Sequence, residues 1–269
     1  TTVVELLDRI VPIEDADVSK ELARSFKKQG IKTETGIKLD KMEKSKTGVK
    51  VSGKNSKGAD VSFEAEMLLV AVGRGPSTGG LGYEEQGVGM DRGFVLTDKR
   101  LRTNLPGVYA VGDIVPGLQL AHRGFQQGIF VAEDVAGLEP TPIDEAGIPR
   151  VTYCDPEVAS VGLTEAAARS TYGEDAVETL TYDLGGNGKS QILRTQGFVK
   201  LVRTKDGPVV GVHMVGARAG ELVGEAQLIY GWEAHPEDVA PLVHAHPTQN
   251  EALGEAHLAL AGKPLHAHS

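Results

Sequence analysis

The chain has 269 residues, of which 40% are apolar and 24% are charged, as in ordinary globular proteins. Its 28 Lys and Arg against 37 Asp and Glu give a formal charge of −9, with no basic cluster of the kind that nucleic-acid binding needs. The one cysteine, Cys154, excludes an intramolecular disulfide and a multi-cysteine metal site.

No apolar run has the length of a membrane-spanning helix, and no basic stretch leads into a signal-like apolar core. We therefore expect a cytoplasmic protein that does not enter a membrane. This length predicts two compact units or parts of them. The chain opens on TTVVELL without an initiating Met, so we expect it to be a piece of a longer protein.

The first third of the chain predicts a strand at 2–7, followed by a helix that begins near Asp15 and ends at Gly30. An antiparallel meander should follow, with turns at 46–48 and 55–58. The apolar run MLLVAVG, residues 67–73, has the composition of a central buried strand.

The glycine-rich residues 74–93 predict a crossing between units, and the last of the short strands that follow should be GVYAVGD, 107–113. A helix should then end at Gly137. Beyond a proline-rich linker, the pattern predicts an α+β unit with an antiparallel sheet and helices at 219–233 and 249–262. The terminal HAHS should be a mobile tail.

Two acidic residues follow predicted strands. Glu5 ends the first strand, where a nucleotide-binding unit places an acid that accepts hydrogen bonds from a ribose. Asp113 follows Gly112 at the end of the strand in VYAVGDIV, the edge where open α/β sheets bind ligands. Taken alone, Glu5 is more often a solvated surface acid than a ligand, whereas Gly112–Asp113 is equally well an ordinary turn.

The segment HAHPTQNE combines His246 with Glu251. A carboxylate that orients an imidazole favours proton transfer near neutral pH. Thr248 and Glu251 also fit a capping box, in which the two residues stabilise the start of a helix without any catalytic role. Both arrangements can hold together, since a Glu in the first helical turn lies close to a His just before it.

His244 and His246 form an H-x-H pair of the kind that begins some zinc sites, but no third ligand at suitable spacing is evident, so we expect no metal. Cys154 lies in strand-like surroundings and is predicted to be a buried, unreactive thiol rather than a nucleophile.

Six segments, in their order and spacing, resemble the flavin-dependent pyridine nucleotide–disulfide oxidoreductases over essentially the whole chain. They are VVELLDRIVP, LLVAVGRGPST, RTNLPGVYAVGDIV, LAHRGFQQGIFVAEDVAG, YCDPEVASVGLTEAAA and VHAHPTQNEALGEA. The resemblance implies an α/β plus α+β fold, with partial doubly wound nucleotide-binding domains followed by an α+β interface (dimerisation) domain. It implies three segments: 1–75 of the NAD-binding domain, 76–143 of the FAD-binding domain, and 144–269 as the interface domain.

The resemblance also implies a role for each matching residue. For NAD, the positions are Glu5 as the selective acid, Ile37 near the adenine, and Ala71, Val72, Gly73 and Arg74 along the nicotinamide end. For FAD, they are Asp113 at the ribitol and Ala121 with its backbone beside the flavin ring. His246 would be the catalytic base and Glu251 its orienting acid, and both would act across a dimer interface on the partner's flavin and disulfide.

The implied activity is oxidation of protein-bound dihydrolipoamide, with electrons passing through a redox disulfide and FAD to NAD. A homodimer and the lipoyl domains of 2-oxo acid dehydrogenase complexes are the implied partners. The family's N-terminal FAD half, cysteine pair and Gly-rich turn have no counterpart in these 269 residues, so we expect the chain alone to be inactive. The alternatives are a catalytically silent dimerising fragment, or another flavin disulfide reductase. Glu5 argues against glutathione reductase, and AGKPLHAHS lacks the cysteine pair of mercuric reductase.

Overall fold

The structure, a computed structural model, describes residues 1–266. The last three positions of the predicted tail, 267–269, lie outside the described residues. The helices are α1 (Ala16–Lys28), α2 (Ala121–Val135), α3 (Glu165–Tyr172), α4 (Gly188–Leu193), α5 (Ala219–Gly231), α6 (Pro236–Val239) and α7 (Glu251–Leu260). The strands are β1 (Thr2–Val4), β2 (Lys32–Glu34), β3 (Ile37–Lys44), β4 (Val49–Asn55), β5 (Asp60–Ala65), β6 (Met90–Asp91), β7 (Phe94–Val95), β8 (Arg150–Thr152), β9 (Glu157–Gly162), β10 (Val177–Asp183), β11 (Phe198–Thr204) and β12 (Val209–Gly216).

The chain forms two compact units. Thr1–Leu68 and the residues from Ala146 onward make the first, and Leu69–Glu145 makes the second. The predicted fold class is confirmed, because nucleotide-binding-type α/β elements and an α+β domain are both present. The division into three segments stays a prediction.

The first unit begins with a β–α–β element in which β1 and β2 pair in parallel and α1 connects them. The side chain of Asp15 caps α1 by accepting from the Asp17 N–H, and Gly30 has a φ of 77°, which confirms the predicted start and stop of this helix. The predicted meander is also confirmed, since β3, β4 and β5 pair in sequence and all pairs are antiparallel.

A five-stranded antiparallel sheet in the order β10-β11-β12-β9-β8 is the centre of the first unit. One face packs against α5 and α7 through buried apolar side chains, among them Met214 on the sheet and Leu253 on α7. On the other face, Val18 and Leu22 of α1 pack against Val158 and Val215, which are paired neighbours in the sheet. The sheet therefore connects the chain's first helix with the helix that follows His246.

A buried ion cluster joins α1 to the same sheet. The ammonium group of Lys200 on β11 lies 2.9 Å from Asp15, 2.6 Å from Asp17 and 2.7 Å from Glu165. The side chains of Lys200 and Asp15 are both 3% exposed, so each compensates the other's buried charge. This cluster fixes the β1–α1–β2 element on the five-stranded sheet.

The second unit contains the β6–β7 hairpin, the helix α2 and a short 3-10 turn at Gly112–Ile114. Its small apolar core is formed by Val95, Ala110 and Val115. The predicted end of α2 is confirmed, since Gly137 follows it with a φ of 76°.

Two predicted strands are wrong. Residues 67–73 contain no strand, and Met67 and Leu69 are 84% and 85% exposed. The 107–113 segment forms only an isolated bridge between Tyr109 and Arg102. A buried parallel strand needs neighbours on both sides, and no described strand pairs with either segment.

The helices predicted at 219–233 and 249–262 are confirmed as α5 and α7, with slightly shorter bounds. The short helices α4 and α6 were not predicted. Within residues 1–266, no helix is both long and apolar enough to cross a membrane.

Candidate active site

His246 and Glu251 form a hydrogen-bonded pair at the start of α7. Nδ1 of His246 lies 2.8 Å from Oε1 of Glu251. The His246 side chain is 75% exposed, whereas that of Glu251 is 23% exposed. The predicted pairing of imidazole and carboxylate is therefore present, and the ring faces outward rather than into the apolar core.

The same carboxylate also organises the backbone before α7. Oε2 of Glu251 accepts a hydrogen bond from the Thr248 N–H at 2.7 Å, which is half of the predicted capping box. The other half is wrong, because the helix begins at Glu251 with Asn250 at its N-cap, and the Thr248 hydroxyl donates to the Ala245 carbonyl. Glu251 thus holds a backbone N–H and an imidazole at once, one with each oxygen.

The electrostatics of Glu251 define the tautomer of His246. Partial burial opposes ionisation of Glu251, but the hydrogen bonds from Thr248 and His246 outweigh it and lower the pKa of this carboxyl below its usual value. An ionised carboxylate can only accept, so Nδ1 of His246 carries the hydrogen. In the neutral ring, Nε2 is then the nitrogen that can accept a proton.

His244 belongs to a second, more enclosed pair. Its Nε2 lies 2.8 Å from Oε1 of Glu225 on α5, and the Asn250 amide donates to the other oxygen of Glu225. The two histidines of the H-x-H motif therefore face different carboxylates. Within the described part of the chain, no three His, Cys, Asp or Glu side chains are grouped so that they could hold a metal ion.

The structure brings Glu5 and Ile37 together. Glu5 directly follows β1, and its carbonyl accepts from the Ile37 N–H at 3.0 Å. Oε1 of Glu5 accepts from the Leu7 N–H, while Oε2 makes no hydrogen bond to any described residue. A free carboxylate oxygen at the end of a parallel strand suits a ribose hydroxyl, so this corner fits the adenosine end of NAD.

The other predicted NAD residues, Ala71, Val72, Gly73 and Arg74, lie in an irregular segment of the second unit. All four are exposed and belong to no helix or strand. Their place along the nicotinamide end stays a prediction.

Asp113 and Ala121, the two residues predicted for FAD, lie close together in the second unit. Gly112 has a φ of 77°, a conformation that favours glycine, and its turn lies against α2, where a Cβ on Gly124 would be in ordinary van der Waals contact with the Gly112 Cα at 3.4 Å. Asp113 is exposed, and Ala121 is the first residue of α2, whose N-cap offers no side-chain acceptor.

This donor set fits a flavin nucleotide. A carboxylate at Asp113 can accept from polyol hydroxyls, and the uncapped N-terminus of α2 offers N–H groups and a partial positive charge to a carbonyl or an anion. Gln127 of α2, a residue that was not predicted for this site, is fully buried and accepts from the Gly112 N–H at 2.7 Å. Its Nε2 is buried and has no partner among the described residues. No pattern marks it, because it is one polar residue on an otherwise regular helix.

Cys154 is half-buried and donates to the Pro156 carbonyl at 3.1 Å. Burial, with the nearby Asp155 and Glu157, raises the pKa of its thiol. The thiol is therefore less buried than predicted, and its unreactive character, which a raised pKa favours, stays a prediction.

Two family models match the chain. The pyridine nucleotide-disulphide oxidoreductase model matches residues 1–128, and the dimerisation-domain model of the same oxidoreductases matches residues 148–257. The solved structure of LpdA from Mycobacterium tuberculosis is similar with a TM-score of 0.86 and 27% identity, over 96% of this chain and 56% of that one.

Curated relatives of similar sequence have dehydrogenase or reductase names. Dihydrolipoyl dehydrogenase of Bacillus subtilis is 38% identical over 98% of this chain and 56% of its own length. The mitochondrial dihydrolipoyl dehydrogenase of Pisum sativum is 39% identical over 98% of this chain and 53% of its own. Leghemoglobin reductase of Glycine max is 39% identical over 99% and 51%, respectively. The chain thus spans about half the length of the curated relatives that it matches.

Proposed function

The chain belongs to the pyridine nucleotide-disulphide oxidoreductase family, and on that basis we propose that it is part of a dihydrolipoyl dehydrogenase. The proposed reaction oxidises protein-bound dihydrolipoamide and delivers the electrons through a redox disulfide and FAD to NAD. The observation that carries the proposal is the exposed His246 whose Nδ1 is held by Glu251, since this reaction needs a base for a thiol proton.

The base acts in one proton-transfer step. Nε2 of His246 takes the proton from a substrate thiol, and the resulting thiolate attacks a disulfide sulfur while the second sulfur leaves as a thiolate. The imidazolium formed on His246 is stabilised by the ionised Glu251, which stays hydrogen-bonded to Nδ1. The cysteine pair that receives the substrate must come from residues other than this chain's single Cys154.

Residues of both units would hold the nucleotides. Asp113 and the N-terminus of α2 at Ala121 would hold FAD, and Glu5 with Ile37 would hold the adenosine end of NAD. The segment Ala71–Arg74 would line the nicotinamide end. When bound, the flavin supplies the two-electron transfer between the disulfide and the nicotinamide.

The proposed partners follow from the same reaction. The match to a dimerisation domain supports a homodimer in which His246 serves the second subunit's disulfide. Lipoyl domains of 2-oxo acid dehydrogenase complexes would present the dithiol. We place the protein in the cytoplasm.

The direct test is an assay of NADH formation from NAD and dihydrolipoamide. The sample is the flavin-loaded protein in which this chain is joined to the segment that carries the cysteine pair. We expect turnover with NAD and little with NADP, because the carboxylate of Glu5 repels a 2′-phosphate. An intact flavoprotein that reduces glutathione disulfide or Hg²⁺ with NADPH, and does not oxidise dihydrolipoamide, would replace this assignment with glutathione or mercuric reductase.

One observation favours a second candidate, a catalytically silent dimerising fragment. The only thiol of the chain, Cys154, is half-buried and bonded to a backbone carbonyl, so the chain has no redox centre of its own. A flavin spectrum in the purified chain would contradict this second candidate, because a fragment of this kind carries no flavin.

A further inference from the structure

A buried asparagine connects the loop before α7 with a different part of the fold. The Nδ2 group of Asn187 donates to the Thr248 carbonyl at 3.1 Å, and its Oδ1 accepts from the Ser190 N–H at 2.9 Å. Asn187 is 3% exposed and stands at the N-cap of α4. One side chain thus caps a short helix and holds the backbone two residues after His246.

Gln249 makes a second buried connection from the same loop. Its Oε1 accepts from the Ser190 hydroxyl at 2.8 Å, and its Nε2 donates to the Ala217 carbonyl at 3.0 Å. Gln249 is 4% exposed and Ser190 is fully buried. Both polar ends of the Gln249 side chain are therefore satisfied, as a buried amide requires.

These contacts reach His246 through the backbone of one residue, Thr248. Its N–H holds Oε2 of Glu251, whose Oε1 holds His246 Nδ1, while its carbonyl, in the next peptide group, is held by Asn187. Loss of the Asn187 donor would free the Thr248–Gln249 peptide to rotate, which would shift the Thr248 backbone and loosen its hold on Glu251. The exposed imidazole has no other described hydrogen bond to keep its orientation.

We propose that Asn187 and Gln249 are positioning residues for the acid–base pair His246–Glu251, an inference that rests on the proposed function. They touch neither the imidazole nor the carboxylate. They act through the Thr248–Gln249 backbone, which sets where Glu251 presents its two oxygens.

The variant Asn187→Asp tests the positioning role separately from the helix cap. An aspartate keeps an oxygen that accepts from the Ser190 N–H, so α4 stays capped, but it has no donor for the Thr248 carbonyl. In the flavin-loaded protein we expect kcat for dihydrolipoamide to fall about 10- to 100-fold with little change in KM. In the nitrogen NMR spectrum, the His246 ring should change from the Nδ1–H tautomer to a mixture of tautomers.

Asn104→Asp is the matched control. In the second unit, Asn104 likewise donates through Nδ2 to a carbonyl, that of Gly87, and accepts through Oδ1 from the Gly89 N–H. This variant should keep the wild-type kcat and the His246 tautomer. Asn187→Ala gives a further comparison, since it should be less stable than Asn187→Asp through loss of the cap.

Wild-type kcat and an unchanged tautomer in Asn187→Asp would reduce Asn187 to a helix cap and overturn the inference. If Asn187→Asp does not fold, Gln249→Met carries the test, with the same two readouts. Failure of both variants to fold would make the contacts purely structural and would also overturn it. The proposed function has a separate test, since it fails if the removal of His246 leaves turnover unchanged. The positioning role can still be judged in that case, because the tautomer signal reports on the His246–Glu251 pair without any turnover.

Discussion

His246 depends on its local surroundings for its orientation. The ring is mostly exposed, so packing in the apolar core does not fix its orientation. Among the described residues, the hydrogen bond to Glu251 is the contact that holds the ring. One oxygen of the Glu251 carboxylate holds the imidazole that is proposed as the base, and the other holds the backbone before α7. The pairing of His246 with Glu251 is therefore compatible with the half of the capping box that is present.

We expect His246→Asn to lower kcat of the flavin-loaded protein about 10²- to 10⁴-fold, because the thiol loses its proton acceptor. The flavin absorbance should be unchanged. His235→Asn is the control, since an asparagine keeps the N-cap that His235 provides for α6. Steady-state turnover with dihydrolipoamide measures both variants, and full activity in His246→Asn would remove this residue from the mechanism.

The second pair, His244–Glu225, should affect stability rather than catalysis. The hydrogen bond with Glu225 raises the pKa of His244 above its usual 6.5, against the effect of partial burial. Burial opposes ionisation of Glu225, but the bond from His244 outweighs it and lowers the pKa of this carboxyl below its usual 4.5. Glu251 and His257 are the other ionisable groups near His244.

Because the pKa of His244 is raised on folding, its contribution is complete below pH 6.5 and is lost as the pH rises through the folded-state value. We expect Glu225→Gln to lower the free energy of unfolding by on the order of 1 kcal/mol at about pH 6, and by less as the pH rises. Denaturant unfolding across this range is the measurement. Glu221→Gln, at an exposed position of α5, should show no such pH dependence. If the loss of unfolding free energy in Glu225→Gln grew as the pH rises, the result would contradict an ion pair between His244 and Glu225.

At the scale of elements, α1 and β11 depend on one buried cation. Burial opposes ionisation of both Asp15 and Lys200, but their mutual hydrogen bond, with those from Asp17 and Glu165, outweighs it. The pKa of Asp15 is lowered and that of Lys200 is raised as a result. Removal of the Lys200 charge would leave the carboxylate of Asp15 buried without its cation, whereas Lys200 without Asp15 would still face Asp17 and Glu165.

Lys200→Met should therefore lower the free energy of unfolding by about 3–5 kcal/mol. Adding Asp15→Asn should recover part of this loss, because asparagine is neutral and still caps α1. Lys205→Met, at an exposed turn, is the control and should be close to wild type. Chemical denaturation measures all three, and an unchanged midpoint for Lys200→Met would show that the cluster contributes nothing to stability.

The two strand predictions fail because of how strands pair with one another. Residues 67–73 have the apolar composition of a buried strand, yet a strand exists only where a neighbouring strand accepts its hydrogen bonds. Helix α1 and the β3–β4–β5 meander were predicted correctly, because their hydrogen bonds join residues close in sequence.

For the whole molecule, the cysteine count limits the chemistry of this chain. Dithiol–disulfide exchange requires a pair of thiols in the protein, and the 269 residues contain only Cys154. We expect the purified chain by itself to form no NADH from dihydrolipoamide and to show little flavin absorbance. The assay and a visible spectrum measure this directly. A flavin spectrum with turnover in the isolated 269 residues would contradict this prediction. It would also contradict the proposal that the cysteine pair comes from residues outside this chain.

Short-range patterns in the sequence were enough to predict the helices, the meander, the antiparallel α+β unit and the neighbourhood of His246 and Glu251. The pairing of His246 with Glu251 was predictable because the two residues are only five positions apart at the start of a helix. By contrast, the contacts of Asn187 with Thr248, 61 residues apart, and of Asp15 with Lys200, 185 residues apart, become apparent only in the folded chain. The tertiary structure also placed Ile37 beside Glu5. Such contacts depend on how the sheet and helices pack, and no local spacing encodes which distant residues meet.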